Sequence, residues 1–115
     1  MKKYVNAKIH GLQVTRSALD YHGSLGVDAS LLEQAGIEPY EAILVVNLNN
    51  GARWETYAIS ADPGEVQLNG GSARLGCVGD RLLIMTFAWE DHFSGAKVLM
   101  IGAGNKVTKV VEYSH

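Results

Sequence analysis

The sequence predicts a small, mainly β protein, a closed or half-closed barrel with one or two short helices. Three observations predict it. Apolar and polar residues alternate along residues 3–9, the period of a strand with one buried face. About seven or eight short stretches read as strands, most of them separated by Gly, Pro, Asn or Asp turn signals. Only residues 28–36 carry both the start and the stop signal of a helix. Many short strands leave unpaired edges unless the sheet curls and closes, so a barrel is the economical arrangement.

In order along the chain, Val5, Ala7 and Ile9 share one face of the first strand, and Tyr4, Asn6, Lys8 and His10 share the other. A second extended piece, Leu12 to Thr15, leads toward Tyr21. Asp28 is placed to cap a short helix, and Gly36 stands where a left-handed C-terminal residue belongs. Ala42 to Leu48 is almost unbroken in its apolar character, which reads as a strand buried on both faces. Asn50-Gly51 predicts a two-residue hairpin turn, with Ala52 to Ser60 as the return strand. Asp62-Pro63-Gly64 is the next turn, Glu65 to Asn69 a short strand, and Gly76 to Asp80 a turn into Leu82–Ala88. Two more strands are expected, Lys97 to Ile101 and Lys106 to Tyr113, with residues 90–95 as a loop.

Composition bounds the function. A chain of 115 residues reads as one domain, residues 1–115. At this size it buries roughly 65% of its unfolded surface, enough for a core. With net charge −2 and a pI near 6.0 it lacks the basic footprint of a nucleic-acid binder. No stretch approaches the ~20 apolar residues of a membrane span. Met1-Lys2-Lys3 leads into a mixed run unlike a signal peptide, so a cytoplasmic protein is the expectation. Cys77 is the only cysteine, which excludes an internal disulfide; it reads as a small buried apolar residue. No His/Cys/Asp/Glu cluster has metal-ligand spacing, so no metal is expected.

The chemistry concentrates at Tyr21-His22-Gly23-Ser24. A serine hydroxyl can attack the carbonyl carbon of the residue before it and move the acyl group from nitrogen to oxygen. Glycine at that carbonyl leaves the approach open and tolerates an unusual φ. The ester can then eliminate, leaving dehydroalanine at Ser24, and loss of ammonia leaves a pyruvoyl group. Such a ketone can form a Schiff base with an amine and act as an electron sink. On pattern alone Gly23-Ser24 is as ordinary as any turn. Arg53 and Tyr57, four apart on a strand, share a face, and Thr56 points to the other. From spacing, Arg53 reads as a solvated charge beside Glu55, and Tyr57 as a barrel aromatic.

Four pieces together change that reading: Lys8 with His10; Tyr21-His22-Gly23-Ser24; Arg53-Trp54-Glu55-Thr56-Tyr57; and Asn69-Gly70-Gly71-Ser72-Ala73. From Lys8 to about Phe87 the chain resembles the aspartate 1-decarboxylase family, small pyruvoyl enzymes that make β-alanine for pantothenate. The resemblance implies a double-psi β-barrel, a homotetramer, and self-cleavage into residues 1–23 and 24–115. It implies a pyruvoyl cofactor built from Ser24, which bonds the substrate amine, and Tyr57 as proton donor. It ties Thr56 to the cut between Gly23 and Ser24, its hydroxyl serving the oxyanion. Arg53 and Lys8 would hold the carboxylates of L-aspartate, and Asn69, Gly70, Gly71 and Ser72 would line the substrate site. His10 would orient neighbours, and Tyr21 would line the site after cleavage.

His22 stands where many members carry glutamate, and Gly71 and Ser72 where alanines are common; His92 and His115 match nothing in the family. Whether a maturation factor assists the cut stays open. So do two other readings: a non-catalytic β-barrel binding module, and a pyruvoyl decarboxylase of another acidic amino acid. The first would show one intact chain where the enzyme shows two fragments.

Overall fold

The structure is a computed structural model that describes residues 1–114; His115 lies outside the described residues. The chain forms β1 (Lys2–Gln13), β2 (Arg16–Ala18), β3 (Gly26–Asp28), α1 (Ala29–Ala35), β4 (Ala42–Asn47), β5 (Arg53–Tyr57), β6 (Ile59–Ala61), β7 (Val66–Asn69), β8 (Arg81–Glu90), β9 (Ala96–Gly102) and β10 (Lys106–Tyr113). Short 3-10 helices cover Gly70–Arg74 and Ala103–Asn105. One sheet has the order β10-β9-β1-β8-β4-β5, the other β2-β7-β3-β6. Parallel pairs β1–β9, β2–β7 and β3–β6 cross the molecule where a plain meander would have none. The expectation of a small, mainly β barrel holds.

The core is apolar and continuous between the sheets. Ile9, Leu12, Val45, Ile84, Leu68 and Leu99 are fully buried, each contributing about 1.5–3 kcal/mol relative to exposure. β1 reaches this core through two register shifts, at Asn6 and Gly11. Strict alternation from Ile9 would turn Gly11 and Gln13 inward; the bulge at Gly11 resets the phase, so Leu12 is buried beside Gly11, Gln13 is exposed and Val14 is buried. Gly11 has φ +98, and a Cβ there would lie 2.9 Å from the Ile101 carbonyl, so no other residue fits.

The helix is capped as the sequence indicates. Asp28 accepts a hydrogen bond from the Ser30 amide at 2.8 Å, and Gly36 takes φ 75 at the other end. Leu31, Leu32 and Ala35 form its buried face.

Four expectations need correction. β4 is not buried on both faces: Ile43, Val45 and Asn47 point inward, while Leu44 and Val46 stay half-exposed on the outer face. The β4–β5 hairpin exists, but its turn is not a two-residue one. Asn47 and Ala52 close the loop, and only Gly51 takes a positive φ; Asn50 does not, so a type I′ turn cannot form. The return strand breaks at Ala58, where the chain leaves the large sheet as β5 and joins the small one as β6. Cys77 is exposed, because it sits in a surface turn closed by the Asp80 carboxylate rather than in the core. The negative Asp80 beside it, with some burial, pushes its thiol pKa up, which keeps it a poor nucleophile.

Candidate active site at the Gly23–Ser24 bond

The segment before β3 is held in an unusual backbone conformation. Gly23 has φ 88 and Leu25 has φ 23, so Ser24 stands between two left-handed residues. For glycine this is free, but for leucine it costs about 1–3 kcal/mol. Leu25 is held there by full burial and by the Ile59 amide, which donates to its carbonyl at 3.0 Å. The strain lies one residue from the bond expected to break.

Both reacting groups of that bond are held. The carbonyl of Gly23 accepts a hydrogen bond from Asn69 Nδ2 at 2.8 Å. Asn69 ends β7, is buried, and among the described residues its Oδ1 has no hydrogen-bond partner. The chain then turns at Gly70 (φ 59) into the 3-10 helix, which brings Ser72 back toward the strand end. Ser72 Oγ lies 2.6 Å from Ser24 Oγ, and Trp54 Nε1 donates to Ser72 Oγ at 3.0 Å. A donor therefore sits on the carbonyl oxygen, and a hydroxyl touches the nucleophile.

β5 supplies the next residues. Its pattern is exposed, half-buried, exposed, half-buried, exposed, so Trp54 and Thr56 turn inward while Arg53, Glu55 and Tyr57 turn outward. At the end of the strand Tyr57 lines a cavity of about 490 Å³ together with Tyr21, His22, Gly23, Tyr40 and Ile59. Tyr40 stacks on Tyr57 with ring centroids 6.1 Å apart. Arg16 lies over the Tyr21 ring, 5.2 Å from its centroid.

Thus Tyr21, Gly23, Ser24, Tyr57, Asn69 and Ser72 come together. Thr56 lies one residue before Tyr57, but among the described residues its hydroxyl makes no hydrogen bond; Asn69 is the donor at Gly23 O. Gly71 is exposed at the start of the 3-10 helix.

Lys8, His10 and Arg53 stand apart. Lys8, Met85, Leu44 and Glu55 form one row across the large sheet. Lys8 is thus three strand steps from β5, about 14 Å. Its ammonium leans the opposite way, 3.4 Å from the Tyr113 hydroxyl on β10. Arg53 is exposed, and among the described residues it forms no ion pair, not even with Glu55. His10 is half-buried; burial lowers its pKa, and the positive Lys8 and Arg81 lower it further, which favours the neutral ring. His92 is exposed in the loop after β8.

Sequence reasoning missed Trp54 as a site residue, and also Tyr40. Trp54 was visible only as one residue of a strand motif, since its link to Ser72 spans two further strands and the turn between them. Tyr40, with φ 71, sits in a connector that carries no catalytic pattern.

The aspartate decarboxylase family model matches residues 1–108. Among curated relatives, a protein of Acaryochloris marina named aspartate 1-decarboxylase is 52% identical over 112 residues, covering 92% of this chain and 86% of its own length. Proteins of the same name from Campylobacter jejuni subsp. doylei and Thermosipho africanus are 44% and 40% identical. The first covers 95% of this chain and 90% of its own length, the second 92% of each.

Proposed function

This chain belongs to the aspartate decarboxylase family, and we propose that it decarboxylates L-aspartate to β-alanine and carbon dioxide, supplying pantothenate and hence coenzyme A biosynthesis. It first cuts itself between Gly23 and Ser24, giving residues 1–23 and 24–115. The observation that carries this reading is the pair of contacts at one bond: Asn69 on the Gly23 carbonyl and a hydroxyl on Ser24 Oγ.

The residues present fit a pyruvoyl group made from Ser24. The bond that must break lies between two left-handed residues, its carbonyl oxygen already holds a donor, and the buried Asn69 Oδ1 has a lone pair to spare. Once formed, the group supplies a ketone that bonds the substrate amine and takes up the electrons released when the α-carboxylate leaves.

The chain's own residues do the rest. As Ser24 Oγ attacks the Gly23 carbonyl carbon, negative charge grows on the carbonyl oxygen, where Asn69 Nδ2 already points. Thr56, whose hydroxyl makes no hydrogen bond among the described residues, is assigned the part of a second donor as that charge develops. Tyr57, in the cavity beside Gly23, holds a proton on its phenol for the former α-carbon. Its stack on Tyr40 fixes the ring plane. Gly70, Gly71, Ser72 and Tyr21 surround the substrate, and neutral His10 orients its neighbours on β1.

Arg53 and Lys8 grip the carboxylates, Arg53 through its bidentate fork. They share the outer face of the large sheet, and neither lines the cavity beside Gly23 within one chain. Copies of the chain abutting on that face would complete the site, and a homotetramer provides them. The face is suited to association: Leu44, Val46, Met85 and Phe87 are half-exposed on it, and Trp89 is 64% exposed. Among the described residues no helix is long and apolar enough to cross a membrane, and a cytoplasmic location accords with the proposed pathway.

The test is aspartate turnover. Purified wild-type chain should release carbon dioxide from L-aspartate, and Ser24→Ala should be folded, whole and inactive. β-alanine formation by Ser24→Ala would overturn the pyruvoyl reading.

A further inference from the structure

Ser72 has a side chain that the scission chemistry above does not use. It is buried, 4% exposed, and its Oγ makes two contacts: 2.6 Å to Ser24 Oγ and 3.0 Å to Trp54 Nε1. An indole N–H can only donate, so Trp54 occupies one lone pair of the Ser72 oxygen. Among the described residues the Ser72 hydroxyl has no other hydrogen-bond partner. If Ser24 donated to Ser72, the Ser72 hydrogen would be buried without an acceptor, which is costly. The arrangement that gives both the Trp54 and the buried Ser72 hydrogens an acceptor runs from Trp54 N–H to Ser72 O–H to the Oγ of half-buried Ser24. It also leaves the Ser24 hydrogen free to depart.

We propose that the Ser72 hydroxyl is a catalytic group for self-cleavage, donating to Ser24 Oγ, and that Trp54 is the positioning residue that orients and polarises it. This rests on the reading of Gly23–Ser24 as the scission bond. In the first step Ser24 Oγ bonds to the Gly23 carbonyl carbon, the peptide C–N bond breaks, and the hydroxyl proton passes to the Ser24 nitrogen, giving an ester and a free amine. In the second step the Ser24 Cα proton is lost to solvent, the Cβ–Oγ bond breaks, and its electron pair leaves with Oγ as part of the Gly23 carboxylate. Dehydroalanine remains; addition of water and loss of ammonia complete the ketone. In the first step the charge falls on the Gly23 carbonyl oxygen, but in the second it builds on Ser24 Oγ, which leaves as part of a carboxylate. A hydrogen bond to a charged oxygen is stronger than one to a neutral oxygen, so the Ser72 donor stabilises the transition state of this elimination, the step that severs the chain, more than the resting chain. Trp54 at the head of the chain strengthens it further, since hydrogen bonds in series polarise one another.

The experiment follows the fraction of cut chain with time, by denaturing mass spectrometry of freshly synthesised protein, with thermal melts as a check on folding. Ser72→Ala should slow the cut about 10- to 100-fold. Ser72→Cys fills similar space but has a weak donor, so it should fall close to Ser72→Ala; a packing role would leave it at the wild-type rate. Trp54→Phe keeps an aromatic ring and loses the N–H. It should slow the cut several-fold when Ser72 is present and have no effect in Ser72→Ala, the signature of two residues acting through one another. Wild-type cutting by Ser72→Ala or Ser72→Cys would overturn the role of Ser72. Equal slowing by Trp54→Phe in both backgrounds would overturn that of Trp54. Should Ser72→Ala fail to fold, the comparison of Ser72→Cys with Trp54→Phe decides. A wild-type chain that stays whole would overturn the scission reading itself, and this inference with it.

Discussion

Asn69→Ala should leave the protein folded and nearly unable to cut itself. Its Nδ2 lies 2.8 Å from the Gly23 carbonyl oxygen, the atom that becomes an oxyanion when Ser24 attacks. Removing one such preorganised donor costs about 2.7–4 kcal/mol in the transition state, or ~10²- to 10³-fold in rate. The folded state loses much less. A neutral hydrogen bond is worth about 1 kcal/mol net, and the same substitution removes the buried, unpartnered Oδ1. The melting temperature should therefore fall by only a few degrees, about what 1 kcal/mol shifts in a domain of this size. Asn69→Asp keeps the shape and places an oxygen against the carbonyl, so at neutral pH it should cut no faster than Asn69→Ala. The assay is the time course of cut chain after cell-free synthesis. Thr56→Val run beside it measures the second donor and should slow the cut at least tenfold. A folded Asn69→Ala that cuts at the wild-type rate would refute the reasoning and leave Thr56 as the leading oxyanion donor.

Three further outcomes are expected. Tyr57→Phe should still cut and still trap substrate on reduction with borohydride, while turnover falls ~10²- to 10⁴-fold, the usual contribution of a positioned proton donor; unchanged turnover would show that another group delivers the proton. Arg53→Lys keeps the charge and loses the fork, so kcat/KM for aspartate should fall roughly 10- to 150-fold, the value of one hydrogen bond to a charged group; wild-type efficiency would remove Arg53 from the substrate grip. Burial pushes the Asp28 carboxyl up, but hydrogen bonds from Gly64, Ser30 and Leu31 outweigh it and hold the pKa below 3.8. Its contribution is therefore present above that value and lost as pH falls through the lower folded one, so urea midpoints of the wild type should decline at acid pH more steeply than those of Asp28→Asn; identical slopes would point to other carboxylates.

The sequence made some features of this protein legible and hid others for physical reasons. The helix could be read residue by residue because its caps are local: Asp28 and Gly36 act within one turn of their own positions. Long strands such as β8 and β10 were visible in their apolar and β-branched character. β2 and β3, three residues each, were not, because that length sets no period. The break at Ala58 was hidden as well, since changing sheets leaves the alternation of side chains almost intact. At the site, resemblance pointed to Gly23, Ser24, Tyr57 and Asn69, and the fold brings them together. It also pointed to Lys8 and Arg53, which one chain keeps three strands apart. The Trp54–Ser72–Ser24 line was illegible because it joins residues 18 and 48 apart in sequence. A serine after two glycines reads as a turn until its partners are known.

The central claim is that this chain cuts its own backbone between Gly23 and Ser24, and the mass of the purified, denatured protein tests it most directly. The account expects two components: residues 1–23 ending in a free carboxylate, and residues 24–115 beginning with a pyruvoyl group in place of serine, so that no free α-amine is found there. A single component with the mass of all 115 residues, from folded protein that has had time to mature, would contradict it.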